Sequence, residues 1–176
     1  MIDKNVNNIN SFTAIVISLS FLAVSWLIYD YLCKSNLINN TILFSTVCLI
    51  VAIIISYLLT KIYGSRAAYI HVGASLGTIM AANVFRVIIP SQKNMVDAAL
   101  VNKEPDLQKG LSAKTRSIHN NYLTLPVLFI MISSHFPFTY GHKYNWLILA
   151  VISIIGASVR HYFNLRNKKK YNVWIL

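Results

Sequence analysis

The sequence has little charge, and acidic residues are its scarcest class. Asp and Glu together number 5 against 16 Lys and Arg, and charged residues make up 12% of the chain, about half the share in soluble domains. Hydrophobic residues make up 56%. This balance excludes an ordinary soluble domain and indicates an integral membrane protein. The net charge of +11 then indicates basic loops on anionic lipid and not a nucleic-acid partner, because the basic residues lie beside apolar stretches.

Several short motifs are also missing from the sequence. The two cysteines, Cys33 and Cys48, form no metal or redox pattern, and no CxxCH motif is available to attach haem c. No small-residue cleavage site follows a short apolar core near the N-terminus, so the first apolar stretch is predicted to remain as a membrane anchor. The sequence also has no inverted repeat of the kind that is typical of transporters.

Long apolar runs predict five membrane spans, since a spanning helix needs about 20 mainly apolar residues. The runs lie at about 11–32, 41–59, 67–89, 118–136 and 144–162. The chain, 1–176, is therefore predicted to be one all-α membrane domain, a polytopic transmembrane helical bundle. In the fourth span Pro126 falls within the predicted first turns, where proline is best tolerated. A loop at 91–117, with a weak amphipathic helix at 92–100, and a basic tail at 163–176 lie outside the spans.

The distribution of basic residues predicts the orientation. Five spans place the termini on opposite sides of the membrane. Only Lys4, Lys61, Arg66 and Lys143 fall on the side of the N-terminus, and all other Lys and Arg residues fall on the side of the C-terminus. Because basic loops stay inside, the C-terminus is predicted to be cytoplasmic and the N-terminus outside.

Ionisable residues within spans are costly and mark functional sites by default. Four histidines meet this description: His71, His119, His135 and His161. The alternating chain direction pairs His71 with His135 in the outer half of the membrane and His119 with His161 in the inner half. Two stacked pairs are the arrangement that holds two b-type haems, with imidazoles as ligands of the haem iron. The alternative is that each histidine forms hydrogen bonds at the membrane interface.

The third span carries a face of small residues. Gly73 and Gly77, continued by Ala81, predict that another helix approaches closely. A neighbouring stripe at helical spacing combines small and polar residues: His71, Ser75, Thr78, Ala82 and Arg86. Arg86 is predicted either to extend to the interface or to bind an anion, such as a haem propionate or an anionic substrate. Arg160, beside His161, is a further candidate for such a cofactor contact.

Polar side chains crowd the predicted start of the fourth span, in the sequence RSIHNNYLTLP. The free amides of a helix start favour anions, so this cluster is predicted to hydrogen-bond a polar heterocycle or a propionate. The same cluster is equally consistent with a helix cap, in which the side chains accept hydrogen bonds from the free amides. The candidate substrate-binding residues here are Arg116, Asn120, Asn121 and Tyr122.

Three separated pieces resemble the membrane domain of the bacterial membrane-bound urate oxidase (urate hydroxylase) family. They are IHVGASLGTIMAANVFRVIIPSQKNMV, KTRSIHNNYLTLPVLFIMISSHFP and SVRHYFNLRNK. The resemblance extends from about Trp26 to the C-terminus and covers about the second half of that domain. The positions that match the motifs are His71, Asn83, Pro90, Gln92, Arg116, His119, Asn120, Tyr122, Pro126, His135, Arg160, His161 and Asn164.

The resemblance implies a redox module in the lipid bilayer of the bacterial inner (cell) membrane. Such a module passes electrons from a purine-like or quinol substrate towards a cytochrome c or a partner membrane subunit, and the histidine pairs add haem b as the expected carrier. The family's domain begins with further spans, one bearing a histidine, and continues into a last span and commonly a haem c domain. A partial sequence, a split-gene product or a reduced relative is therefore expected, and the alternative is a non-catalytic membrane subunit that packs in a larger complex.

Overall fold

The computed structural model describes residues 9–167. Its helices are α1 (Ser11–Lys34), a 3₁₀ turn (Asn36–Asn39), α2 (Thr41–Ile62), α3 (Ser65–Asn83), a π turn (Val84–Ile88), α4 (Ile89–Leu100), α5 (Leu107–Ser133), α6 (Pro137–Tyr140) and α7 (Asn145–Asn167). No strand occurs in this described part, which confirms the all-α prediction. Residues 168–176 of the predicted basic tail, and Lys4 near the N-terminus, lie outside the described residues.

Asparagine side chains begin the first two helices. Asn10 accepts a hydrogen bond from the Thr13 amide at 2.9 Å, and Asn40 accepts one from the Leu43 amide at 3.1 Å. Each side chain satisfies an N–H group that has no partner within the helix. Lys34 lies in the last turn of α1, where a cation is favoured by the helix dipole. Polar residues at the ends of apolar runs thus fix where these helices begin and end.

Four helices within residues 9–167 are long and apolar enough to cross a membrane. They are Ser11–Lys34, Thr41–Ile62, the continuous helix Ser65–Leu100 and Asn145–Asn167. Helix α5 is 27 residues long, but charged residues occupy its first half, and it packs chiefly against α7 and α3. Its role as a fifth span, at 118–136, stays a prediction. Within the segment predicted as a loop, 91–117, the helix expected at 92–100 is present as the end of α4, and α5 begins earlier than expected, at Leu107.

A π turn interrupts the long helix between α3 and α4. Pro90 has no N–H group, and its ring clashes with the carbonyl four residues earlier, that of Arg86. The helix widens just before this proline, and the Ile89 amide donates to the Val84 carbonyl, five residues back. The continuous helix of 36 residues is about 54 Å long at about 1.5 Å per residue. It therefore exceeds the hydrocarbon thickness of about 30 Å, and α4 extends beyond it.

Two glycines allow helices to approach closely. A Cβ atom added at Gly73 of α3 would lie 2.6 Å from Met131 Sδ of α5. One added at Gly156 of α7 would lie 2.8 Å from the backbone nitrogen of Pro126. Helix α5 begins earlier than expected, at Leu107, so Pro126 lies in its interior and not in its first turns as predicted. At Gly77 an added Cβ meets nothing within 4 Å in the described part of the chain, so the predicted close contact forms at Gly73 alone.

The buried apolar side chains form two clusters at opposite ends of the bundle. One surrounds Tyr69 and Ile130, both 0% exposed, and the Tyr69 hydroxyl donates to the Asn145 carbonyl at 2.8 Å. This bond attaches the start of α3 to the start of α7. The other cluster surrounds Tyr29 and Phe44, near the end of α1 and the start of α2.

Candidate functional site

A buried arginine lies at the centre of the largest polar network in the described residues. Arg116 of α5 is 4% exposed. Its Nη2 donates to Asp30 Oδ1 of α1 at 2.6 Å, and its Nη1 donates to Asn83 Oδ1 of α3 at 3.0 Å. Asp30 also pairs with Lys34 at 2.6 Å. The guanidinium charge is therefore compensated within the protein, as a buried charge requires.

Asn83 connects Arg116 to two further side chains by hydrogen bonds. It is fully buried, at 0% exposure. Because arginine has only donors, Asn83 must present its oxygen to Arg116, and its nitrogen then donates elsewhere. The Asn83 Nδ2 atom donates to Asn120 Oδ1 at 2.9 Å and to the Tyr29 hydroxyl at 3.2 Å. Asn120 in turn donates to the Met80 carbonyl at 2.9 Å, so both amide orientations are settled.

His119 lies at the end of this chain of hydrogen bonds. Its Nδ1 is 2.8 Å from the Tyr29 hydroxyl and 3.9 Å from Cys33 Sγ. The Phe44 ring of α2 stacks on the imidazole, with ring centres 4.9 Å apart. We call the set Tyr29, Asp30, Asn83, Arg116, His119 and Asn120 the Arg116 network.

Four consecutive residues of α5 face three different helices, because successive side chains are about 100° apart around an α-helix. His119 contacts α1, and Asn120 contacts α3. Asn121 accepts from Arg160 and Asn164 of α7, both at 2.8 Å. The Tyr122 hydroxyl is 2.8 Å from Nδ1 of His161 on α7.

This polar segment lies in the interior of α5 and not at its start. The N-cap of α5 is Asp106, whose carboxylate accepts from the amides of Gln108 at 3.0 Å and Lys109 at 3.2 Å. Both interpretations based on a helix start, an anion site at free amides and a helix cap, are therefore wrong for His119–Tyr122. The amides of these residues are already hydrogen-bonded within the helix.

A second polar cluster surrounds His71. The imidazole is 8% exposed; its Nδ1 donates to the Ala67 carbonyl at 2.7 Å, and its Nε2 is 2.7 Å from Ser18 Oγ. The Tyr63 ring stacks on it at 4.4 Å, and the Tyr63 hydroxyl is 2.9 Å from Ser18 Oγ. His71 and Asn83 are twelve residues apart on α3, or about 18 Å. The two clusters thus occupy separate ends of the bundle.

The predicted haem-binding pairs do not fit this arrangement. An imidazole binds iron through a ring nitrogen with a free lone pair, and both nitrogens of His71 are occupied. His135 is exposed in the turn after α5, and His161 is exposed on α7. No group of three His, Cys, Asp or Glu residues able to hold a metal occurs within residues 9–167. The haem b hypothesis stays a prediction without support from these side chains.

The two remaining arginine candidates have different surroundings. Arg160 is held by Asn121, as described above. Arg86 is exposed and lies over the Trp26 ring at 5.4 Å. No carboxylate pairs with Arg86 among the described residues. The Trp26 indole nitrogen is buried and has no hydrogen-bond partner in this part of the chain.

Tyr29 and Asp30 belong to the Arg116 network, and the sequence analysis did not single them out. Asp30 is an acidic residue at the end of an apolar run, with Lys34 one helical turn later. Such a pair usually indicates a local surface contact. The sequence carries no local signal for the pairing with Arg116, because the two residues are 86 positions apart.

The length and apolarity of the helices, together with polar networks between them, define a helical membrane protein of multi-pass type. The family model described as urate oxidase N-terminal matches residues 1–176. The chain therefore belongs to the urate oxidase N-terminal family. The match includes the residues before Trp26, where no resemblance was expected. No curated protein and no solved structure matches the chain.

Proposed function

We propose that the chain is the membrane part of a redox system that takes electrons from a purine-like or quinol substrate. Family membership supports this proposal. The observation that carries it is the Arg116 network, because buried charges and amides beside apolar spans are expensive and are retained chiefly for function. The π turn next to Asn83 adds support, since such turns are frequent at functional sites.

The burial and the hydrogen bonds of each side chain suggest its role in the site. Arg116 and Asn83 are buried and hydrogen-bonded to other side chains of the chain, so we assign them the role of positioning other groups and not of contacting substrate. His119, Asn121 and Tyr122 are half-buried, so each keeps part of its surface open to contact with a substrate. Oxidation of a quinol to a quinone releases two electrons and two protons, and hydroxylation of an oxopurine by water releases the same number. We propose that a cytochrome c or a partner membrane subunit accepts the electrons and that water accepts the protons.

A non-catalytic membrane subunit is the second candidate function. The buried groups of the Arg116 network find their partners within the chain, as expected if the network only holds helices together. Helices α1 and α2 also leave many large apolar side chains exposed, which fits contact with lipid or with neighbouring subunits. In this case the bundle packs in a larger complex and performs no chemistry.

The two functions are separated by expressing the full chain in bacterial membranes and purifying it with whatever proteins accompany it. We expect reduction of added cytochrome c that depends on urate or on a reduced quinol, and that falls at least tenfold in His119→Leu. Lys103→Ala, an exposed change in the turn before α5, is the matched control. If a well-folded preparation oxidises neither substrate, the chain is a non-catalytic subunit. An absorption spectrum of the same sample tests for bound haem b.

A further inference from the structure

The hydrogen bonds of the Arg116 network fix where the proton of His119 lies. Asn83 presents its oxygen to Arg116, so its nitrogen must donate to Tyr29. The Tyr29 oxygen is thus an acceptor from Asn83, and its own single proton needs an acceptor. His119 Nδ1, at 2.8 Å, is that acceptor. The other polar neighbour, the Cys33 thiol, is a weak hydrogen-bonding group.

A neutral imidazole whose Nδ1 accepts a hydrogen bond carries its proton on Nε2. His119 is therefore held as the Nε2–H tautomer by a chain of contacts that begins at Arg116. This tautomer cannot bind iron through Nε2, which agrees with the poor fit to haem. Within residues 9–167, Nε2 has no hydrogen-bond partner, and because His119 is half-buried, this donor is available to a ligand.

The surroundings of His119 define the class of acceptor that fits. Phe44 stacks on one face of the imidazole, and Tyr29 meets it edge-on. Leu37, Ile38 and Leu123 belong to the same apolar cluster. The charge of Arg116 is paired with Asp30, and the second cation on that carboxylate, Lys34, has a side chain that is 73% exposed, so no buried cation is left unpaired to call for an anion. A neutral oxygen on a flat conjugated ring suits one donor among aromatic and aliphatic side chains.

We infer that His119 Nε2–H donates to a carbonyl oxygen of a planar conjugated ligand, and that Tyr29, Asn83 and Arg116 are positioning residues for this contact. Quinone head groups and oxopurines both carry such a carbonyl. The inference rests on the proposed function, because it names the contact that the substrate or its oxidised product makes.

The tautomer is measured by nitrogen NMR of the full chain, labelled with ¹⁵N-histidine, in lipid nanodiscs. His119 is assigned by the signals that disappear in His119→Gln. We expect a protonated Nε2 and an unprotonated Nδ1, and in Tyr29→Phe a mixture of both tautomers. A single Nδ1–H tautomer in the unchanged chain overturns the inference, whatever the redox activity proves to be. Circular dichroism of each variant checks that the helices remain.

The ligand is tested in the same samples with a short-chain quinone in one series and urate in the other. We expect one of the two to shift the Nε2 signal of His119 and to leave that of exposed His142 unchanged. Binding should weaken about tenfold in His119→Leu, as expected for the loss of one hydrogen bond. His119→Gln should restore binding, because an amide accepts from Tyr29 and donates to the ligand in the same way. If neither compound shifts the signal at saturation, or if His119→Leu binds as tightly as the unchanged chain, the inferred contact is refuted.

Discussion

Replacing Asn83 by alanine tests the Arg116 network at the residue that joins its branches. The change removes one hydrogen bond accepted from Arg116 and two donated to Tyr29 and Asn120. Side-chain hydrogen bonds in membrane proteins average about 0.6 kcal/mol, which gives about 2 kcal/mol for three. A buried charged donor left without a partner costs about 1–3 kcal/mol by itself. We therefore expect Asn83→Ala to lower the free energy of unfolding by about 3–5 kcal/mol.

The loss is measured by following helix content during unfolding of the detergent-solubilised chain with sodium dodecyl sulfate. Asn164→Ala is the matched control, because Asn164 is half-buried and makes a single hydrogen bond, to Asn121. We expect it to cost about 0.5–1 kcal/mol. If Asn83→Ala is no more destabilising than Asn164→Ala, the network contributes no more to the fold than a single half-buried hydrogen bond, and the reasoning about its orientation fails.

Three further predictions concern helix packing, the start of α5 and the membrane orientation. Gly156→Ala should destabilise the bundle by about 1–3 kcal/mol, because the added Cβ meets the rigid backbone and ring of Pro126. Gly77→Ala, where the Cβ meets nothing within 4 Å, should be neutral or slightly stabilising in the same unfolding assay, and equal effects would contradict the close approach of α7 to α5. The hydrogen bond from the Lys109 amide holds the pKa of the Asp106 carboxyl below its ordinary value, so the cap stabilises α5 above the unfolded pKa of about 4 and is lost as the pH falls through the lower folded pKa. Amide exchange at Gln108 and Lys109 should accordingly quicken in Asp106→Ala at neutral pH, and unchanged exchange would argue against the cap. In a chain carrying Cys33→Ser and Cys48→Ser, a membrane-impermeant maleimide should label Lys103→Cys only from the cytoplasm and Lys143→Cys only from outside, and the reverse pattern would invert the proposed topology.

The helices were predictable from the sequence wherever apolar length alone defines them. The runs at 11–32 and 41–59 lie within α1 and α2, and the run at 144–162 lies within α7 apart from residue 144. They were predictable because a lipid-spanning segment must be both long and continuously apolar. The start of α5 was not predictable in this way. Residues 107–117 are polar and basic, a composition typical of a loop, and they are helical because Asp106 caps them and they continue a packed helix.

The candidate site was predictable only in part, because its bonds join distant segments. His119, Asn120 and Arg116 were identified as expensive polar groups near a span, and chain direction separated His71 from His119. The bonds of Arg116 to Asp30 and to Asn83 join three helices, and no local pattern indicates them. The sequence therefore indicated which residues were unusual, while the packing of α1 and α3 on α5 determines what each of them contacts.

The most direct test of the proposed redox function is substrate-dependent reduction of cytochrome c by the purified chain with its accompanying proteins. We predict that urate or a reduced quinol drives the reduction, that His119→Leu loses it, and that His119→Gln and His142→Gln retain it. Equal rates in His119→Leu and the unchanged chain would remove His119 from the site. No reduction by a well-folded, complete preparation would show that this family member is a non-catalytic membrane subunit.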